Sequence, residues 1–250
     1  MSRLLSTLFA LSTVGFLAPS AASQTTVLTV AAASDLSNLE PDLAASFRKS
    51  EPGLSVRFVT AASGVLSQQI QNGAPYDVFL SANAQFVDRL ASNGKLRPDS
   101  VTTYAIGRLG VLWRDGKSHP LRDLTRKWVR FVAIPNPKLA PYGQAAVQAL
   151  QHEQIWEQVR PKVVYGENVR QTLQLFESGN ADAVLTADSL LAGKHPDVVP
   201  DSWHQPIIQK AAAVSGSKNH QAADRFLIFL KGPGAQAVFA HYGFGPGTRN

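Results

Sequence analysis

Apolar runs that end in a small or hydroxylic residue and lead straight into a helical pattern recur along this chain. Four such junctions occur, at 31–36 (AAASDL), 60–65 (TAASGV), 139–144 (LAPYGQ) and 166–171 (GENVRQ). Between them, runs typical of buried strands alternate with apolar residues at helical spacing. This alternation predicts α/β architecture, with mainly parallel sheets flanked by helices and ligands bound beyond the carboxyl ends of the strands.

The alternation falls into two series, joined by a return of the chain near its C-terminus. The pattern therefore predicts two lobes: residues 24–104 together with 206–250 form the first, and residues 105–205 form the second. The crossings near Tyr104–Ala105 and Pro206–Ile207 are expected to form a two-segment hinge, which would allow the lobes to close around a ligand.

The first residues have the pattern of an export signal. Met1–Arg3 is positively charged, residues 4–17 are mostly apolar, and residues 19–23 are small, as at a cleavage site. We therefore expect a cleaved signal peptide over residues 1–23. The chain contains no cysteine, which excludes disulfides, thiolate metal sites and lipid attachment after the signal. These observations predict a freely diffusing periplasmic protein.

Composition narrows the possible functions. With 250 residues, 44% hydrophobic and 17% charged, the chain is globular and long enough for one large domain or two modest ones. Its formal net charge of +6 favours the approach of anions. The basic residues are scattered and form no stripe with interleaved aromatic residues, so we expect no nucleic-acid partner.

The four junctions have a chemistry in common. The first turn of a helix leaves backbone N–H groups unpaired, and the aligned peptide dipoles place partial positive charge there. Each junction is therefore a potential anion site, and four around one cleft would hold an oxyanion without a charged side chain. Taken singly, Ser34 and Ser63 are more simply explained as N-caps, and Tyr142 and Val169 as packing residues. The recurrence is what favours a binding site.

Six stretches of the sequence, in order and over nearly all of the chain after the signal, carry a family resemblance. They are AAASDLSNL, TAASGVLSQQI, YDVFLSAN, NPKLAPYGQAA, GENVRQTLQLFESGNADAVLTA and AVSGSKN. Together they resemble the periplasmic molybdate-binding proteins of ABC importers. The resemblance implies a two-lobed type II binding-protein fold. It also implies a monomer that closes on molybdate or tungstate, needs no cofactor, and hands its ligand to a membrane permease.

The resemblance also implies a set of ligand-binding residues. These are Ser34, Ser63, Tyr142 and Val169, with the backbone N–H groups of Asp35 and Gly64 and the loop residue Ala140 as further candidates. Some members add a tyrosine hydroxyl from a short strand, where this chain has Ala183–Asp188 without tyrosine; Thr186 is the only candidate substitute there. A carboxylate would repel a dianion, so we expect the Asp35 side chain to point away from the ligand.

Two other classes of function remain open on sequence grounds. One is a receptor for another tetrahedral oxyanion such as sulfate, and the other is an exported enzyme or adhesion module on the same fold. Against an enzyme, the six histidines are dispersed, and neither an HExxH pair nor a GxSxG elbow is present. We therefore expect no catalytic residues and no direct metal-ion ligands. A pocket made only of donors should prefer fully ionised molybdate and tungstate to protonated phosphate.

Overall fold

The computed structural model describes residues 25–247, so the predicted signal peptide over 1–23 and the chain start near Gln24 lie outside the described residues. The strands are β1 (Thr26–Ala33), β2 (Leu54–Ala61), β3 (Val78–Ser81), β4 (Thr102–Gly107), β5 (Leu109–Trp113), β6 (Val132–Pro135), β7 (Val163–Gly166), β8 (Ala183–Ala187), β9 (Asp197–Val198), β10 (Ile207–Ala213) and β11 (Gly245–Pro246). The α-helices are α1 (Glu40–Ser50), α2 (Ser63–Gln71), α3 (Ala84–Ser92), α4 (Pro141–His152), α5 (Trp156–Val159), α6 (Val169–Glu177), α7 (His220–Lys231) and α8 (Pro233–His241).

The strands form two sheets. A six-stranded sheet has the order β11-β4-β10-β3-β1-β2, and a five-stranded sheet has the order β7-β6-β8-β5-β9. Strands β1, β2 and β3 pair in parallel, as do β6, β7 and β8, whereas β10 and β5 run antiparallel to both of their neighbours. The expectation of mainly parallel sheets is therefore corrected to mixed sheets. The reason is that each crossing between the sheets inserts a strand of reversed direction.

The six-stranded sheet with its helices is called lobe 1 below, and the five-stranded sheet with its helices lobe 2. The chain first crosses from lobe 1 to lobe 2 at Arg108 and returns before Ile207. The first crossing lies beyond the expected Tyr104–Ala105 position because β4 continues in the lobe 1 sheet to Gly107, where it pairs with β10.

Each lobe has its own buried core. In lobe 1, Phe47 packs against Phe226 and Phe229 on one face of the sheet, and a second apolar cluster covers the other face. The core of lobe 2 extends to Ala33 and Ala82 of lobe 1. These two small residues end or follow β1 and β3, so the lobes pack together where the carboxyl ends of the lobe 1 strands meet lobe 2.

Three of the four sequence junctions begin a helix where the pattern predicts one, at α2, α4 and α6. The first junction differs, because Ser34–Leu36 forms a single 3₁₀ turn and α1 begins only at Glu40. Pro41, the second residue of α1, suits this start, because the N–H groups of a first helical turn have no intrahelical acceptor and proline is tolerated there. The first junction therefore offers a short 3₁₀ turn where a helix start was expected.

Two glycines allow helix starts to approach strand ends closely. A side chain at Gly143 in α4 would collide with the carbonyl of Pro135 at the end of β6, and one at Gly166 would collide with Thr172 in α6. Because both positions lack a side chain, the first turns of α4 and α6 lie directly against the strands that precede them.

Candidate functional site

The four junctions lie at the carboxyl ends of β1, β2, β6 and β7, and the structure brings them together between the lobes. The Tyr142 hydroxyl of lobe 2 donates a hydrogen bond of 2.9 Å to the Asp35 carboxylate of lobe 1. The Gly64 N–H of lobe 1 donates to the Leu139 carbonyl of lobe 2 at 3.2 Å. The 3₁₀ turn of the first junction also packs against α6. All four junctions therefore border one cleft.

Ser34 and Ser63 are buried, with 4% and 2% of their surface exposed. The Ser63 hydroxyl oxygen accepts a hydrogen bond from the Ala82 N–H at 3.1 Å, which leaves its proton available to a ligand. The Ser34 hydroxyl has no hydrogen-bond partner within residues 25–247, and Ser34 lines a cleft together with Thr60 and Asn168. Both serines can thus donate into the space between the lobes.

The backbone donors proposed from lobe 2 lie in the first turns of their helices. Val169 is the first residue of α6, and its N–H has no protein acceptor in the part of the chain that the structure describes. The Asn168 side chain caps this helix by accepting from the Gln171 N–H at 2.9 Å, so the cap does not occupy the Val169 donor. Tyr142, the second residue of α4, follows Pro141 and is likewise without an acceptor among the described residues.

Two of the candidate backbone donors are already engaged. The Gly64 N–H donates to Leu139 across the lobes, and the Ala140 N–H donates to the Asn136 carbonyl at 2.9 Å. In this conformation, neither group is free to bind a ligand. Each would have to exchange a protein acceptor for an anion oxygen, whereas the donors at Tyr142 and Val169 need no exchange.

Thr186 lies in β8 beside the start of α6. It is completely buried, and its hydroxyl donates to the Val169 carbonyl at 3.0 Å. The proton of that hydroxyl is therefore used within the protein. Thr186 positions the first turn of α6, and with it the Val169 N–H, in place of offering a hydroxyl to the ligand.

Asp35 is the centre of a buried polar network, with 1% of its surface exposed. Its Oδ2 accepts from the Tyr142 hydroxyl at 2.9 Å and from Gln209 Nε2 at 2.7 Å. Gln209 Oε1 in turn accepts from the Tyr104 hydroxyl at 2.9 Å. Within the described residues, the Asp35 Oδ1 has no partner. The carboxylate is therefore only half satisfied, although it is out of contact with water.

Burial raises the pKa of Asp35 to about 6, because desolvation of the carboxylate outweighs the hydrogen bonds from Tyr142 and Gln209. Burial likewise raises the pKa of Tyr142 and of Tyr104, and the Asp35 charge adds to both increases. The two tyrosines thus remain protonated donors at neutral pH. Within this network, it is the buried negative charge of Asp35 that lowers the stability of the folded protein.

A model of the family described as "Bacterial extracellular solute-binding protein" matches residues 28–245. The chain belongs to this family. The molybdate-binding protein ModA of Azotobacter vinelandii is 35% identical over 234 residues, which cover 90% of this chain and 92% of that protein. ModA of Rhodobacter capsulatus is 32% identical, with 92% of each chain covered.

A solved structure extends the similarity to three dimensions. The periplasmic molybdate-binding protein of Azotobacter vinelandii matches with a TM-score of 0.80 and 30% identity, covering 87% of this chain and 98% of that chain. Together these findings confirm the resemblance to the molybdate-binding proteins and the predicted two-lobed type II fold.

Several residues that shape the site of this solute-binding protein were not found from its sequence. The Ser189 hydroxyl donates to the Asp35 carbonyl at 2.6 Å, and the Asn38 side-chain amide donates to the Leu190 carbonyl at 3.3 Å. Both bonds join the lobes. For Gln209, the sequence offers one signal, because this amide stands in the otherwise largely apolar strand β10. The structure shows that it is fully buried. Such a residue must find hydrogen-bond partners in the interior.

Residues 25–247 hold no group of three or more histidine, cysteine, aspartate or glutamate side chains placed to bind a metal ion. Among the helices in that range, none has the length and apolar character needed to cross a membrane.

Proposed function

We propose that this protein captures molybdate or tungstate between its two lobes and delivers it to the membrane permease of an ABC importer. The observation that carries the proposal is the meeting of the four junctions at one cleft, with N–H groups at Tyr142 and Val169 that have no acceptor within residues 25–247 and buried hydroxyls at Ser34 and Ser63. Relatives that are named molybdate-binding proteins match about nine-tenths of the chain, and they support the choice of ligand.

Neutral donors suit a fully ionised oxyanion. Hydrogen bonds to a charged acceptor are short and strong, and exclusion of water on closure strengthens each of them. A protonated ligand such as hydrogen phosphate brings a donor of its own, which an all-donor pocket leaves unpaired. Sulfate is fully ionised as well, so its discrimination from molybdate depends on the size of the pocket.

The proposal includes a place and a mode of action. The protein acts as an exported monomer without a cofactor or catalytic activity, and it contacts the permease and no nucleic acid. The family to which it belongs is extracellular, and a structurally similar relative is named as periplasmic. The signal-like sequence over residues 1–23 agrees with export.

Calorimetric titration of the mature, ligand-free protein at neutral pH tests the proposed function. We expect one-to-one binding of molybdate and tungstate, with little or no heat from sulfate or phosphate. Preferential binding of sulfate would show that the protein is an oxyanion receptor with a ligand other than molybdate. If none of the four anions binds, the proposed oxyanion site does not exist.

Replacement of Ser63 by alanine is expected to weaken molybdate binding about tenfold, because it removes one hydrogen bond to a charged, desolvated acceptor. Dissociation constants from the same titration provide the measurement. Ser67→Ala is the matched control, since Ser67 is a similarly buried serine one turn further into α2. Equal affinity of Ser63→Ala and the wild type would remove Ser63 from the binding site.

A further inference from the structure

The mouth of the cleft carries one opposed pair of charges. Its lining residues are Ser34, Ser37, Asn38, Glu40 and Thr60 from lobe 1, and Asn168 and Arg170 from lobe 2. Within this lining, Glu40 is the one carboxylate and Arg170 the one cation. The remaining residues are neutral and polar, so these two side chains carry the formal charges of this lining.

Arg170 reaches towards the opposite lobe from the start of α6. It follows Val169 directly, and its Nη1 lies 3.5 Å from the Asn38 Oδ1, at the limit of a hydrogen bond. Within the described residues, no carboxylate oxygen lies within 4 Å of its guanidinium group, so Arg170 forms no ion pair. An exposed guanidinium held only by a weak contact to a neutral amide is free to meet an incoming anion.

Glu40 opposes this positive charge from lobe 1. Its carboxylate accepts a hydrogen bond of 2.6 Å from the Thr60 hydroxyl, which fixes it at the cleft wall. Burial raises the pKa of Glu40, while the Thr60 bond and the positive charge of Arg170 lower it. The two residues therefore interact electrostatically without forming an ion pair, and both line the space that an anion would enter.

We propose that Arg170 draws the oxyanion into the cleft and that Glu40 opposes its entry, so that this pair sets the rate of association. The inference rests on the proposed function and adds a charged entrance to a binding site whose donors are neutral. The guanidinium group of arginine is a planar fork of donors that matches oxyanion oxygens. Charge at a cleft mouth raises association rates in a salt-dependent manner.

The test measures association and dissociation rates for molybdate by stopped-flow fluorescence. Because the chain has no cysteine, Gln85→Cys gives a single labelling site for an environment-sensitive dye without a change of charge. Gln85 is exposed and lies in the crevice between α3 and α4. Arg170→Gln and Glu40→Gln are compared in this background. Arg225→Gln is the control, because it removes the same charge from α7, where Arg225 pairs with Glu51.

We expect Arg170→Gln to slow association severalfold at low salt and to weaken its salt dependence, with little change in dissociation. Glu40→Gln should speed association, and Arg225→Gln should leave it nearly unchanged. Structural damage would not produce opposite effects in two substitutions that each remove one charge.

An unchanged association rate in Arg170→Gln would overturn the inference and leave the proposed receptor function untouched. Faster dissociation alone, shared by Asn38→Ala, would assign Arg170 to lobe closure instead. If neither the labelled Gln85→Cys protein nor the unlabelled wild type binds molybdate, both the inference and the proposed function fail.

Discussion

Replacement of Val169 by proline is expected to weaken molybdate binding about a hundredfold while the fold stays intact. Proline lacks the N–H that Val169 would donate, and its ring carbon takes the place of the amide hydrogen, where it would clash with an anion oxygen at hydrogen-bond distance; together these effects cost about 3 kcal/mol. The first position of a helix tolerates proline. Asn168 before it has φ −149° and ψ 172°, an extended conformation that suits the residue preceding a proline.

Two variants separate the lost donor from other effects of Val169→Pro. Val169→Ala shortens the same side chain but keeps the N–H, so its dissociation constant should stay within a few fold of the wild type. Ala84→Pro introduces proline at the first position of α3, after the extended residue Asn83, and reports the general cost of proline at a helix start. Thermal unfolding of all three verifies the fold. A Val169→Pro protein that binds as tightly as Val169→Ala would show that this N–H does not bind the anion.

Much of the candidate site could be predicted because it is local in sequence. A helix start exposes its N–H groups whatever the rest of the chain does, so the pattern was sufficient to predict unpaired N–H groups at the starts of α2, α4 and α6. The choice of Ser63, Tyr142 and Val169 as ligand-binding residues came from the family resemblance. The first junction was harder. Its helix begins later than the apolar spacing suggests, because Leu36 and Leu39 are buried in the segment before α1, which begins only at Glu40.

The contacts between the lobes could not be predicted in the same way. Asp35, Tyr142 and Gln209 are far apart in the chain and meet only because β10 returns to the lobe 1 sheet between β3 and β4. That return also makes the lobe 1 sheet mixed, as β5 makes the lobe 2 sheet mixed, and the local β–α alternation indicates neither. Hydrogen bonds that are already made, such as that of the Gly64 N–H to Leu139, likewise depend on how the lobes meet.

Replacement of Asp35 by asparagine is expected to remove a large pH dependence of stability. The folded-state pKa of Asp35 is about 6, above its ordinary value of 3.8, so between these pH values the folded protein holds a proton that the unfolded chain releases. The free energy of unfolding therefore falls as the pH rises from about 4 to about 6. The loss reaches about 3 kcal/mol at pH 7 for this one group. Denaturant unfolding of both proteins from pH 4 to pH 7 measures the difference.

The same substitution is expected to tighten anion binding. Asp35 follows Ser34 and contacts Tyr142, so a dianion at the proposed site lies close to its charge. At about 6 Å, even with the dielectric constant of water, the repulsion is about 1.4 kcal/mol, or tenfold in affinity. Asparagine keeps an acceptor for Tyr142 and Gln209 but carries no charge.

Asp201→Asn, at an exposed carboxylate near the end of the lobe 2 segment, is the control for both effects of Asp35→Asn. It should reproduce the wild-type stability at every pH and the wild-type affinity for molybdate. A stability difference between Asp35→Asn and the wild type that stays constant from pH 4 to pH 7 would show that Asp35 does not titrate in this range. Weaker molybdate binding in Asp35→Asn would show that its charge orients the network needed by the site more than it repels the ligand. Because stability and affinity are measured separately, each result tests one consequence of burying a half-satisfied carboxylate beside an anion site.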